Sequence, residues 1–205
     1  LLPAAGFGIY NFGTHALLLI LVTVLTCVLT EFLYEVLMKK EITIGDFSAV
    51  VTGLLLAMNL PPKAPLWIGV IGGVFAILVV KMLFGGLGQN FMNPALAARA
   101  FMLASWAGAM TNWVSPSLFG TDALTSATPL SLLKAGGEQL VNMPALKKLF
   151  LGDVGGCIGE TSAILVILGG VYLMYKGIIN YVIPTFYIAT VSILMFILGG
   201  FNFSF

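Results

Sequence analysis

The sequence predicts an all-α, polytopic membrane protein with about six to seven spans in this fragment, some of them discontinuous helices. Apolar residues make up 60% of the 205 residues and charged residues only 8%, whereas soluble domains carry roughly a quarter charged residues. The mean hydropathy is +1.07, and apolar runs of about twenty residues, the length of a transmembrane helix, recur along the chain. A formal net charge of +1 gives no indication of a nucleic-acid partner.

The first part of the chain alternates full spans with a short helix. A partial span is expected to end near Tyr10, and a full span is expected over residues 15–38. Residues 45–60 are apolar but too few to cross a bilayer untilted, and a proline cluster follows them, so they predict a broken helix. A full span is then expected over residues 66–84, where three glycines favour close helix packing: Gly69, Gly72 and Gly73.

A second discontinuous helix is predicted after the glycine-rich residues 85–93. Asn93 can cap this helix and Pro94 can occupy its first turn, so the helix is expected to cover residues 95–110. Two interrupted helices in apolar surroundings are typical of proteins in which the helix ends are buried or line a cavity.

We expect a single membrane domain over residues 1–205, built from inverted or internal repeats. Residues 6–13 and 170–177 resemble each other weakly, and an apolar span follows each of them. The expected divisions are a first repeat over about 1–110, an outward loop over about 111–159 and the start of a second repeat over about 160–205, with spans at 160–176 and 181–199. On this interpretation the chain is cut short at both ends.

Charged and amide side chains within the apolar segments are the candidate ligand groups. Glu31 is either an interfacial carboxylate without a task or part of a cation path. Asp46 opens the broken helix. Arg99 is either a functional cation inside the membrane or a side chain that snorkels to the interface, and Asn90 and Asn93 precede it.

Residues 122–130, Asp-Ala-Leu-Thr-Ser-Ala-Thr-Pro-Leu, form a polar, turn-rich stretch that combines hydroxyls, a carboxylate and a helix-start signal. Thr128 suits the N-cap and Pro129 the first helical position. The N–H groups and the positive dipole end of such a helix stabilise a phosphate. Plain capping by Thr128 is the alternative.

The lysine distribution predicts the orientation in the membrane. Lys39, Lys40, Lys81 and Lys176 fall on one side of the predicted spans, and their closeness to span ends favours the cytoplasm as that side. The loop that carries Thr128 is then expected to face outward, on the extracytoplasmic side of the membrane.

Three motifs resemble those of the RnfD/NqrB membrane-subunit family, and the resemblance to the family covers nearly all the chain. Residues 122–128, Asp-x-x-Thr-Ser-Ala-Thr, resemble the sequence at which flavin transferases attach FMN to a threonine through a phosphoester, although Ser126 stands where the family usually has Gly. Residues 84–95, Phe-Gly-Gly-Leu-Gly-Gln-Asn-Phe-Met-Asn-Pro-Ala, and residues 156–162, Gly-Cys-Ile-Gly-Glu-Thr-Ser, resemble family signatures. The Thr-Pro-Leu ending of the first motif is more similar to RnfD of the Rnf ferredoxin:NAD oxidoreductase than to NqrB.

The resemblance implies one subunit of a redox-driven ion translocase that is not expected to be catalytic alone. It implies covalent FMN, a second noncovalent flavin such as riboflavin, Na⁺ or H⁺ as the moving ion, and other complex subunits and a flavin transferase as partners. No catalytic or metal-ligating residue is expected. The implied location is a prokaryotic inner or plasma membrane. The implied sites are Thr128 for FMN and the attachment motif Asp122, Thr125, Ser126 and Ala127. Independently of the resemblance, the broken helices make Asn90, Asn93 and Arg99 candidates for flavin or ion contacts, and Glu31 and Asp46 candidates for the ion path.

Three alternatives stay open from the sequence. One is an NqrB-like subunit of a sodium-pumping NADH:quinone reductase. Another is a passive channel or carrier for a small polar solute, because paired discontinuous helices suit such proteins as well. The third is a purely structural anchor for other subunits.

Overall fold

The computed structural model describes residues 1–116, 128, 131, 146–160 and 162–198. All regular secondary structure in these residues is helical, which confirms the predicted all-α class. The α-helices are α1 (Leu2–Phe12), α2 (Thr14–Leu37), α3 (Ser48–Met58), α4 (Leu66–Val74), α5 (Pro94–Ser105), α6 (Ala107–Met110), α7 (Leu146–Leu151), α8 (Ala163–Tyr175) and α9 (Val182–Leu198). A 3-10 helix, Ile44–Asp46, precedes α3, and α4 continues as a π-helix, Phe75–Met82.

The chain forms two compact units, Leu1–Leu165 and Val166–Phe205. In the first, α2 is central and packs against α3, α4 and the π-helix. In the second, α9 exposes large apolar side chains along its described length. The predicted repeats and their boundaries stay a prediction.

Helix α2 has 24 residues and is the one helix of the described residues that is long and apolar enough to cross a membrane. Apolar helices of 10–17 residues lie at the other predicted positions: Ser48–Met58, Leu66–Met82, Pro94–Ser105, Ala163–Tyr175 and Val182–Leu198. The number of spans therefore stays a prediction.

Both predicted broken helices are short. Helix α3 ends at Met58, just before the proline cluster. Helix α5 begins at Pro94, and Oδ1 of the preceding Asn93 accepts hydrogen bonds from the backbone N–H groups of Ala95 and Leu96 at 3.0 and 3.2 Å, so the predicted cap is confirmed. The expectation of one helix to residue 110 is wrong, because the backbone of Trp106 leaves the helical region at φ −136° and ψ 54° and α6 follows as a separate turn.

Close contacts at glycine hold the helices of the first unit together, as the sequence predicts. A β-carbon at Gly53 of α3 would lie 2.8 Å from Cα of Val24 on α2, and one at Gly69 would lie 2.5 Å from Thr23 Oγ1. Such distances leave no room for a methyl group. The backbones of α2, α3 and α4 therefore approach closely, and this approach sets the positions of the side chains between them.

We predict that Gly53→Ala destabilises the full-length subunit by about 1–3 kcal/mol, because the new methyl group meets backbone that cannot rotate away. Gly6→Ala in α1 is the matched control, since nothing lies within 4 Å of its β-carbon position. It should leave stability unchanged or raise it by up to about 1 kcal/mol. Thermal unfolding in detergent measures both variants, and equal midpoints would contradict the packing described here.

Candidate functional site

A buried ion pair joins α2 to the π-helix. Lys81 Nζ donates a hydrogen bond to Glu31 Oε1 at 2.7 Å, and the two side chains are 3% and 1% exposed. The pair lies beside an apolar cluster of Cys27, Ala49, Ile77 and Met82. In these surroundings the attraction is weakly screened, but each charge has lost its hydration and depends on the other.

Lys81 also contacts Ser48, which lies nearer the surface than Glu31. Its Nζ donates to Ser48 Oγ at 2.6 Å, and the hydroxyl and backbone N–H of Ser48 donate to Asp46 Oδ1 at 2.5 and 2.7 Å. Asp46 itself is exposed. Burial alone would raise the pKa of Asp46, but the Ser48 hydrogen bonds and the Lys81 charge outweigh it and hold that pKa below its usual range. The structure thus links the two predicted ion-path residues, Glu31 and Asp46, through Ser48 and Lys81.

One oxygen of Glu31 lacks a partner. Oε2 is fully buried and accepts no hydrogen bond from the described residues. Glu35, one turn further along α2 and also 1% exposed, is different because the N–H and hydroxyl of Thr43 donate to its two oxygens at 3.2 and 2.5 Å. An unsatisfied buried acceptor costs about 1–3 kcal/mol. Glu31 is therefore the less satisfied of the two buried acids.

Arg99 lies in a second polar cluster, at the end of α3. Its Nη1 donates to Asn59 Oδ1 at 2.5 Å and lies 3.6 Å from Glu160 Oε1. Glu160 Oε2 accepts from the backbone N–H of Cys157 at 3.2 Å. Burial and then the Glu160 charge raise the pKa of the Cys157 thiol to about 12, so this thiol is protonated at neutral pH.

The segment before α8 closes the end of α3. The backbone N–H of Ile158 donates to the Leu60 carbonyl at 3.1 Å, and that of Gly159 donates to the Met58 carbonyl at 2.8 Å. These bonds satisfy carbonyls that a helix end leaves free. An interrupted helix can therefore end in apolar surroundings.

The other predicted site residues do not join these clusters. Asn90 Nδ2 donates to the Met92 carbonyl at 3.2 Å, and Asn93 caps α5, so their hydrogen bonds stay within the turn before that helix. Thr128 is half-buried, and its Oγ1 accepts from the N–H of Ser131 at 3.3 Å, the geometry of an N-cap. The rest of the attachment motif lies outside the described residues: Asp122, Thr125, Ser126 and Ala127.

Two residues of the polar cluster formed by Glu31, Lys81, Ser48 and Asp46 were not predicted from the sequence. Lys81 was used only to predict the orientation in the membrane, and Ser48 was not singled out. The available signal was Lys81 itself, a cation inside an apolar run, which needs a buried anion nearby. Ser48 gave no such signal, because its contact with Lys81 joins residues 33 positions apart.

An apolar helical scaffold with interrupted helices and a buried ion pair is typical of membrane proteins that handle ions. The chain belongs to the NQR2, RnfD, RnfE family, whose model matches residues 1–205. Family membership and the length and composition of α2 together support a membrane location.

The relatives divide into two kinds. The chain is 55% identical over 201 residues to the D subunit of the Na⁺-translocating ferredoxin:NAD⁺ oxidoreductase complex of Acetobacterium woodii, covering 97% of this chain and 62% of the relative. It is 49% identical over 206 residues to the D subunit of the proton-translocating ferredoxin:NAD⁺ oxidoreductase complex of Clostridium ljungdahlii, covering 98% and 62%. Identity to the B subunit of the Na⁺-translocating NADH-quinone reductase of Klebsiella pneumoniae is 35% over 160 residues, covering 74% and 37%.

These values confirm that the chain resembles RnfD more than NqrB. The chain spans less than two thirds of the length of the two ferredoxin:NAD⁺ oxidoreductase relatives, 62% of each.

We predict that Lys81→Met destabilises the full-length subunit by about 3–5 kcal/mol, because it leaves the Glu31 carboxylate buried without its cation. The double variant Glu31→Gln, Lys81→Met removes both charges and should recover most of that loss. Thermal unfolding in detergent measures both, with Lys63→Met in an exposed loop as the control. A double variant that loses as much stability as Lys81→Met alone, or more, would show that the two charges do not stabilise each other.

Proposed function

We propose that the chain is the membrane redox subunit of an Rnf-type complex, a cation-translocating ferredoxin:NAD oxidoreductase, and that it carries FMN bound covalently to Thr128. The observation that carries this proposal is the flavinylation-like motif at residues 122–128 in a chain 55% identical to the D subunit of such a complex. Ferredoxin and NAD react on other subunits. This chain acts as one electron carrier within the assembly and is not catalytic alone.

The surroundings of Thr128 suit a phosphoester. Its hydroxyl oxygen lies at the start of a helical turn, 3.3 Å from the N–H of Ser131. N–H groups and the positive end of the helix dipole stabilise the remaining negative charge of a phosphate bound at such a position. Because Thr128 is only half-buried, a flavin transferase can reach the hydroxyl. The other motif residues, Asp122, Thr125, Ser126 and Ala127, then serve recognition by that enzyme.

Bound FMN supplies one-electron chemistry, which no amino-acid side chain of this chain supplies equally well. Attachment keeps the flavin with the subunit, so electrons can pass to partner subunits without loss of the carrier. We place this loop on the extracytoplasmic side, as the lysine distribution predicts.

We assign a second, noncovalent flavin such as riboflavin to the neighbourhood of Arg99. The Arg99 side chain is 28% exposed, and its Nη1 contacts Asn59 and Glu160, so the guanidinium can be reached from outside the protein. Guanidinium N–H groups are strong donors to the carbonyl oxygens that a flavin ring carries. Asn90 and Asn93 do not join this cluster, and they stay candidates for flavin or ion contacts in the turn before α5.

The ion path in this proposal runs by Glu31 and Asp46. The relatives at 55% and 49% identity belong to a Na⁺-translocating and a proton-translocating complex, respectively, so both ions are candidates at this level. Intramembrane carboxylates are the groups that bind either ion.

We predict that Thr128→Ala abolishes covalent flavin, because the phosphoester oxygen is gone. Ser131→Ala is the matched control, since it keeps the Thr128 hydroxyl and the backbone N–H that donates to it. In-gel flavin fluorescence of the denatured full-length subunit is expected to be lost in the first variant and kept in the second. Fluorescence that persists in Thr128→Ala would refute this attachment site, and a colourless unsubstituted protein would favour a passive channel.

A further inference from the structure

The hydrogen bonds between Asp46 and Glu31 form an unbroken path. Lys81 Nζ donates to Glu31 Oε1 at 2.7 Å and to Ser48 Oγ at 2.6 Å, and the Ser48 hydroxyl donates to Asp46 Oδ1 at 2.5 Å. Each step is within hydrogen-bond distance. The path begins at an exposed carboxylate and ends at one that is 1% exposed. We call these four residues the Asp46–Glu31 chain.

The inner end of this chain is electrostatically incomplete. Glu31 Oε2 is buried and lacks a hydrogen-bond partner among the described residues. In an ionised carboxylate this oxygen carries negative charge that no donor compensates, whereas the carbonyl oxygen of a neutral carboxyl carries much less. The nearby Glu35 shows no such deficit, because Thr43 donates to both of its oxygens. Glu31 is therefore the buried acid that keeps a free acceptor oxygen among the described residues.

We propose that Glu31 is a buried proton-loading site, filled from water at Asp46 through Ser48 and Lys81. The inference rests on the proposed function, since loading a buried carboxyl serves ion translocation by the complex. Lys81 passes one ammonium proton to Glu31 Oε1 and becomes a neutral amine. The Ser48 hydroxyl turns from Asp46 toward the lone pair of this amine and gives it its proton, while Asp46, which has taken a proton from water, passes that proton to Ser48 Oγ. Asp46, Ser48 and Lys81 then regain their starting forms, and Glu31 has gained one proton.

The contacts favour a proton over a metal cation. The Lys81 ammonium already occupies the space between Glu31 Oε1 and Ser48 Oγ, so Na⁺ could bind there only by displacing it. A proton displaces no group, because its transfer needs only rotation of the Ser48 hydroxyl and of the Lys81 amine. Among the residues whose structure is described, no three His, Cys, Asp or Glu side chains are grouped so as to hold a metal ion.

Few other titratable groups face Glu31. On α2 itself, Cys27 and Glu35 lie one turn to either side, and Tyr34 packs against the same apolar cluster. The π-helix contributes Lys81 and the 3-10 helix contributes Asp46. Neither α3 nor α4 carries a titratable side chain, and Tyr10 of α1 lies beside the opposite end of α2. In this part of the chain, protons from water therefore reach Glu31 through the Asp46–Glu31 chain.

The direct test is infrared difference spectroscopy of the full-length subunit after a pH jump. A band of a buried protonated carboxyl is expected, and Glu31→Gln should remove it. Ser48→Ala keeps the ion pair and the backbone N–H to Asp46 but breaks the path, so it should slow the appearance of the band by about tenfold or more. Thr52→Ala is the matched control, because the hydrogen bond of that hydroxyl within the described part of the chain goes to the Ser48 carbonyl, at 2.9 Å, and not to the path.

A band that survives Glu31→Gln, or that forms in Ser48→Ala as fast as in Thr52→Ala, would overturn the proposal. In liposomes that hold the assembled complex, Ser48→Ala should lower the number of protons moved per NADH formed, with attached flavin unchanged. Sodium uptake that stops in Ser48→Ala without any carboxyl band would overturn the proton assignment in favour of a metal-cation site. Absent flavin or absent electron transfer in the unsubstituted complex would instead refute the proposed function, since the infrared measurement needs neither.

Discussion

The buried contact between Lys81 and Glu31 is the interaction on which the described arrangement of α2, α3 and the π-helix depends. Neither charge can remain in apolar surroundings without the other. The two charges can meet only if their helices pack closely, and Gly53 and Gly69 allow α3 and α4 to approach α2. Their contact also needs a lysine that leaves the π-helix toward α2, and π-helical turns occur mostly where such a local adjustment serves a site. The close packing of these helices and the pairing of the two buried charges therefore depend on each other.

The interrupted helices solve a related problem of unpaired backbone groups. Asn93 satisfies two N–H groups at the start of α5, and the segment at residues 157–160 satisfies carbonyls at the end of α3. His15 Nδ1 lies 2.9 Å from the Pro62 carbonyl in the turn after α3. With these partners, helix ends can lie among apolar side chains, and Arg99 can lie beside one of them.

Much of the fold follows from the sequence, because apolar period, proline and helix caps act locally. The position of α2, the break after α3 and the Asn93 cap are examples. The break at Trp106 could not be predicted, since no proline or glycine marks it and the conformation depends on tertiary contacts. The site was predictable only in part. Glu31 and Asp46 can be recognised as charges in apolar segments. Lys81 and Ser48, which join them, could not be predicted as partners, because Lys81 reaches Glu31 and Ser48 only when helices distant in sequence pack together.

The two polar features divide the proposed work of the subunit. The Thr128 hydroxyl provides a place for a permanent electron carrier, and the Asp46–Glu31 chain provides a path for charge through the apolar scaffold.

The decisive measurement is mass spectrometry of the peptide containing Thr128, taken from active complex. We expect a mass gain equal to FMN less one water on that threonine. An unmodified Thr128 in fully active material would show that the electron carrier is not attached there.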